Sequence, residues 1–182
     1  MPRLFVGIPV PPPCRDALAN LAAALGRRTG SAARWTRPEN FHLTLQFLGQ
    51  TPEEQVASVA DALAAVRFVP FVLQPGPLRC LPGWQRPRVL HLDLARGAAE
   101  CAALAESVCT AMDPFGYQRG KAFLPHLTLG RVKRPEGVDW QALAALVPGA
   151  LPDFTVDRFA LWESELTPEG PIYRAVREYP AG

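Results

Sequence analysis

The chain is poor in several residues that polar chemistry usually recruits. Its 182 residues include three histidines, four cysteines and two lysines, Lys121 and Lys133. No cysteine pair has CxxC spacing, and Cys101 and Cys109 stand too far apart on one predicted helix to bridge. With Cys14 and Cys80 they are expected as ordinary reduced thiols. There is no HExxH and no acidic residue at ligand spacing beside His42 or His126, so no metal site is expected. Glycine-rich phosphate loops of the P-loop or dinucleotide type are missing, and Gly26 to Gly30 reads as a helix end and turn. Neither NTP hydrolysis nor NAD chemistry therefore has a motif, and no cofactor is expected. No apolar run reaches the roughly 20 residues of a membrane span. The opening Arg3-Leu4-Phe5-Val6 reads as a strand rather than a secretory leader, so a soluble, cytoplasmic protein without membrane contacts is expected. A net charge of only +2 implies no broad nucleic-acid-binding surface. The shortage of lysine leaves 17 arginines among 19 basic residues. Arginine grips phosphate in a bidentate way that lysine cannot match, although a GC-rich genome would produce the same bias together with the abundant Ala, Gly and Pro.

Two of the three histidines share one context. His42-Leu43-Thr44-Leu45 recurs as His126-Leu127-Thr128-Leu129, 84 residues later (126 − 42) in a chain of 182. Residues i and i+2 of a strand share a face, so each copy sets an imidazole beside a hydroxyl, with two leucines on the other face. A single copy could be a buried strand whose His and Thr satisfy each other. Two copies half a chain apart point to two similar lobes offering one His/Thr pair each to a shared cleft.

Helical spacing marks Cys14 to Arg28, Thr51 to about Val66 and Ala98 to Met112, with Trp140 to Leu146 as a short helix. Thr51-Pro52-Glu53-Glu54 reads as a helix start, with Thr51 as cap. Strands are predicted over Leu4–Pro9, His42–Leu48, Phe68–Leu73, Val89–Leu94, Pro125–Val132, Phe154–Trp162 and Ile172–Tyr179. Pro75-Gly76-Pro77 and Leu81-Pro82-Gly83-Trp84 read as a rim loop, Asp113 to Lys121 as a loop, and Thr167-Pro168-Glu169-Gly170 as a turn. Hairpin-like strand pairs mixed with helices argue for an α+β fold with antiparallel sheets. The expectation is one domain over 1–182, bilobal, with two pseudo-symmetric lobes, outer helices and the active-site cleft between them.

Two imidazoles facing one phosphate suffice for acid–base catalysis, because both protonation states are accessible around a pKa of about 6.5. A neutral ring deprotonates the attacking water while the opposite imidazolium protonates the leaving oxygen. Thr44 and Thr128 would donate to the non-bridging oxygens as charge develops. Arg131 is the natural added cation, but five residues beyond His126 a regular strand would put it on the leucine face. A bulge or the strand end would have to turn it back. Trp35, and Phe123 before the second motif, are placed either to stack on a nucleobase or to pack in core and rim. His91-Leu92-Asp93 reads as a half-exposed strand pair.

Taken in order, Arg3-Leu4-Phe5-Val6, Arg34-Trp35, Phe41-His42-Leu43-Thr44-Leu45-Gln46-Phe47-Leu48-Gly49, Pro125-His126-Leu127-Thr128-Leu129-Gly130-Arg131-Val132, and Ser164 to Pro171 with Tyr173 resemble the RNA 2′,3′-cyclic phosphodiesterase (2′-5′ RNA ligase) family of 2H phosphoesterases. The resemblance implies motif strands facing each other across a water-filled cleft. It implies opening of 2′,3′-cyclic phosphate ends to 2′-phosphomonoesters, with His42 as general acid and His126 as general base. Thr44 and Thr128 would hold the phosphate, with Arg131 as helper. The implied partner is RNA or an oligonucleotide with a cyclic phosphate end, tRNA fragments and nucleotides included, acted on by a monomer. Reverse joining of tRNA halves through a 2′-5′ bond, and a non-catalytic RNA- or nucleotide-binding module, are the competing readings.

Overall fold

The two histidine motifs are entered differently: the first follows a 3-10 turn, Pro38–Asn40, and the second follows Pro125, which keeps Leu124 out of a helix. In both, the leucines that follow are drawn into a common core. In the computed structural model, which describes residues 1–117, 122–168 and 170–182, this gives β1 (Arg3–Pro9), α1 (Pro12–Thr29), β2 (Ala33–Trp35), β3 (His42–Gln50), α2 (Glu53–Leu63) and β4 (Phe71–Leu81). There follow β5 (Val89–Arg96), α3 (Ala98–Met112), β6 (Leu127–Val132), β7 (Phe154–Val156), β8 (Arg158–Thr167) and β9 (Gly170–Pro180). Of the predicted loop Asp113–Lys121, residues 118–121 lie outside the described residues, as does Glu169 of the predicted turn.

The strands form a curled, antiparallel, nine-stranded sheet in the order β7-β4-β5-β6-β3-β1-β8-β9, with β2 also paired to β6. The two motif strands are neighbours at its centre, yet they pair only through Leu43 and Leu127. From that pair β6 continues along β2 instead, so the sheet opens between the motifs. The helices cover the outer side: α1 lies against β2 and β6, α3 behind β3, and α2 against α3 and β9. Leu43, Leu45, Leu127 and Leu129 are all buried in the core beneath the cleft, together with Leu18 and Leu25 of α1 and Val108 of α3.

The repeat is legible in the topology. Strand, helix, motif strand, helix, strand runs as β1-α1-β3-α2-β4, and again as β5-α3-β6 followed by a short 3-10 helix and β8. The final strand of each repeat crosses over: β4 pairs with β5 of the second half, and β8 with β1 of the first. Sequence halves are therefore not spatial halves.

Several local expectations are corrected. The predicted strand Phe154–Trp162 breaks at Asp157 into β7, on one edge of the sheet beside β4, and β8, which pairs with β1. Pro75-Gly76-Pro77 is no loop but part of β4, where the register slips on both sides of Pro75 and so spares the ladder the missing N–H groups. The strand predicted from Phe68 starts only at Phe71. Thr51 does not cap α2; the cap position is Pro52, and Thr51 Oγ1 instead accepts a 2.9 Å hydrogen bond from Tyr117. The helix predicted over Trp140–Leu146 is a 3-10 helix, Ala142–Leu146.

Candidate active site

Where the sheet opens, a cleft of about 250 Å³ is lined by His42, Thr44, His126, Thr128, Arg131 and Trp35. The two histidines, the two threonines, Arg131 and Trp35 thus meet in one cavity. A second depression of about 330 Å³, beside Pro75 and Val147, has no ionisable side chain in its lining. Polar chemistry belongs to the first.

Both imidazoles are held alike. His42 Nδ1 donates to the Asn40 carbonyl at 2.7 Å, and His126 Nδ1 donates to the Leu124 carbonyl at 2.7 Å. A carbonyl only accepts, so Nδ1 carries the proton and each Nε2 is left for chemistry. On the first side Nε2 lies 3.1 Å from Thr44 Oγ1. In both copies the accepting carbonyl lies outside the strand, at the end of the 3-10 turn Pro38–Asn40 in the first and in irregular chain before β6 in the second. Asn40 is itself buried and donates through Nδ2 to the Pro171 carbonyl at 2.7 Å, fixing one wall of the cleft to β9.

The two rings differ in their surroundings. His42 meets the Phe5 ring at 4.7 Å and the edge of Tyr173 at 5.2 Å. That burial, reinforced by the charge of His126, holds the His42 pKa below its ordinary value, against the opposing pull of the Asn40 carbonyl. Burial likewise raises the Tyr173 hydroxyl, with Arg131 countering. His126 instead meets His91, 4.9 Å away. His91 is only 1 % exposed, which corrects its reading as half-exposed: it lies on β5 directly opposite Thr128.

Arg131 reaches the cleft through a bulge. On β6, Thr128 pairs with His91 and Gly130 with Leu90, so Leu129 is an extra residue and the alternation flips after it. The same irregularity occurs on β3, where Thr44 pairs with Gly7 and Gln46 with Val6, leaving Leu45 extra. Its consequence was missed in the sequence. Phe47, five residues after His42 as Arg131 is after His126, is turned into the cleft and is 71 % exposed. The matched second leucine and the equal offsets were the available signal, but a regular period of two assigns both residues to the core. Gln46 goes to the core instead, its amide unpartnered.

Trp35 borders the cleft but is wedged between α1 and β6. Methyl groups built on Gly26 and Gly130 would come within 3.2 Å and 2.9 Å of its indole, so both glycines are needed for its close fit. Phe123, half-buried, packs against the core. Arg34, from β2, and Arg37 join Arg131 in the cleft lining. Among the described residues no group of three or more His, Cys, Asp or Glu side chains is placed to hold a metal ion, and no helix is long and apolar enough to cross a membrane. The four cysteines are unbridged.

The family model described as LigT like Phosphoesterase fits residues 8–91 and again 92–173, one copy around each histidine motif. The chain is 35 % identical over 179 residues to an Archaeoglobus fulgidus protein named RNA 2′,3′-cyclic phosphodiesterase, covering 97 % of this chain and 99 % of that one. The crystal structure of a Thermus thermophilus protein superposes with a TM-score of 0.78 at 28 % identity, over 98 % of this chain and 97 % of that one. Escherichia coli LigT, crystallised with 3′-AMP, shares the fold with a TM-score of 0.77 at 22 % identity, over 99 % and 98 % of the two chains. Matched twice, once around each imidazole of the cleft, the chain belongs to the LigT-like phosphoesterase family.

Proposed function

We propose that this protein is an RNA 2′,3′-cyclic phosphodiesterase that opens cyclic phosphate ends to 2′-phosphomonoesters by metal-independent, two-histidine acid–base catalysis. The observation that carries the reading is the matched pair of imidazoles: each Nδ1 is tied to a carbonyl and each Nε2 is left to one cleft. The name borne by the Archaeoglobus fulgidus relative supports the substrate class.

In the reaction, His126 Nε2 takes a proton from water as its oxygen attacks phosphorus. His42 Nε2 delivers a proton to O3′ as the P–O3′ bond breaks, and the phosphate stays on O2′. Burial by itself disfavours the His42 imidazolium. An anionic phosphate seated between the rings supplies the opposite charge that restores it, so the substrate itself helps arm the acid. Thr44 and Thr128 donate to the non-bridging oxygens, and Arg131 neutralises the charge that accumulates there. Phe47 and Trp35 offer aromatic surface to the nucleoside beside the phosphate. The substrate so read is an RNA end, a tRNA fragment or a free nucleotide. A monomer working in the cytoplasm suffices for this chemistry.

The test is hydrolysis of an oligoribonucleotide with a 2′,3′-cyclic end in EDTA, followed by analysis of the phosphate position. The expected product is the 2′-phosphate, and His42→Ala or His126→Ala should each reduce kcat by ~10²–10⁴-fold. Full activity in both variants, or activity abolished by the chelator, refutes the proposal.

A further inference from the structure

The buried imidazole of His91 has no part in the reaction as written, yet it touches the ring that does. His91 is 1 % exposed, and neither of its nitrogens makes a hydrogen bond. Leaving a polar ring unpartnered in a core is unfavourable, and an apolar side chain would serve packing better. Its surroundings suggest why the ring is there. Its centroid lies 4.9 Å from that of His126, with the planes inclined at 64° in an edge-on arrangement. Its Nδ1 faces Asp93 Oδ1 at 3.5 Å, and Asp93 is held in turn by Arg79 at 3.3 Å. Arg79, His91 and Thr128 are directly opposite one another on β4, β5 and β6, so these groups share one face of the sheet.

The pseudo-symmetry sharpens the point. The position opposite Thr44, equivalent to His91 opposite Thr128, is Gly7. A methyl there would lie 2.8 Å from the Leu43 carbonyl and 3.5 Å from His42 Cδ2, so no side chain can stand there. His42 is enclosed by Phe5 and Tyr173 instead. Half-buried His126 has the His91 ring against it.

We propose that His91 is a positioning residue for His126: its buried ring, steadied at one edge by Asp93, keeps the His126 imidazole in the plane that presents Nε2 to the phosphate. The inference rests on the reading of His126 as a proton-transfer group. The groups facing His91 are His126, Asp93, Arg79 and Thr128. Burial first, and then the charge of His126, lower the His91 pKa; Asp93 and the Leu92 backbone oppose this, and Arg79 adds slightly to it. Burial thus disfavours the charged form of the brace.

The experiment compares His91→Ala and His91→Phe with the native chain on a 2′,3′-cyclic nucleotide, with His126→Ala as control. Losing the brace lets the general base rotate out of line, so His91→Ala should lower kcat about tenfold and leave KM within about twofold. Restoring a ring in His91→Phe should bring kcat back to within about threefold of native, a rescue that lost stability alone would not produce. Native kcat in His91→Ala, or equal losses in the Ala and Phe variants, overturns the proposal. If His91→Ala fails to fold, Asp93→Ala removes only the half-exposed steadying group. A roughly threefold loss of kcat at constant KM then supports the proposal, and no loss overturns it. Activity retained by His126→Ala would instead overturn the functional reading beneath it.

Discussion

Gly130→Ala tests whether the bulged strand and Trp35 jointly aim Arg131. Gly130 lies between the extra residue Leu129 and Arg131, and a methyl group on it would stand 2.9 Å from Trp35 Cε3 and 3.0 Å from the Arg34 carbonyl. Unstrained carbon contacts need about 3.5–4.0 Å, so the ring or the strand must give by roughly 0.6 Å or more. The indole has little room, because α1 approaches so closely on its far side that a methyl on Gly26 would lie 3.2 Å from Nε1. Overpacking of this kind costs about 1–3 kcal/mol. For a domain of this length that is roughly 2–12 °C in Tm. Arg131 follows directly in the chain, so a displaced strand carries its guanidinium with it, and kcat/KM should fall about tenfold, or roughly 1.4 kcal/mol of transition-state stabilisation. The assays are thermal denaturation and hydrolysis of a cyclic nucleotide. Gly83→Ala and Gly149→Ala, whose methyl groups would meet nothing within 4 Å, serve as controls. They should stay within about 0.5 kcal/mol of native. A Gly130→Ala protein that melts within about 1 °C of native with full activity would refute the reasoning.

Thr44→Ala and Thr128→Ala each remove a donor to a charged oxygen. Such hydrogen bonds contribute about 1.5–3 kcal/mol, so steady-state kinetics should show roughly 10–100-fold lower kcat/KM for each. Asn40→Ala leaves the Pro171 carbonyl without its 2.7 Å donor. It should destabilise the fold by about 1–3 kcal/mol in urea titration. His42 and His91 both bind protons less readily in the fold than in the unfolded chain, whose histidines titrate near 6.5. Their contribution to stability is therefore intact above that pH and is lost as pH falls below it towards their lowered folded values. Tm should drop between pH 7 and pH 5, and His91→Phe should flatten the slope; an unchanged slope in that variant would show that His91 does not contribute.

Much of the site could be read from residue order. The doubled motif brought His42, Thr44, His126 and Thr128 to one cleft because strand alternation and buried leucines are local rules that both copies obey. The same rule failed at Arg131 and Phe47. A bulge adds one residue to one strand of a pair, and it is visible only when the partner strand is known. His91 was misjudged for a related reason: alternation gives a side chain's face, while its burial depends on which strands flank it. The split of Phe154–Trp162 at Asp157 had no local signal, since both pieces extend equally well and only the sheet assigns them different neighbours. Likewise Pro75-Gly76-Pro77 looked like a loop because the register slips that accommodate its prolines are set by β5.

Composition and motif spacing alone determined an antiparallel α+β chain with a repeated histidine–threonine pair and no recognisable metal or phosphate-loop motif. Those properties depend on residues within a few positions of each other. Tertiary structure decided which strands exchange between the halves, which way Arg131 and Phe47 point, and why one imidazole rests on carbocyclic aromatic rings and the other on His91. Each of these depends on contacts between distant segments, where partner register and packing, rather than local preference, carry the free energy.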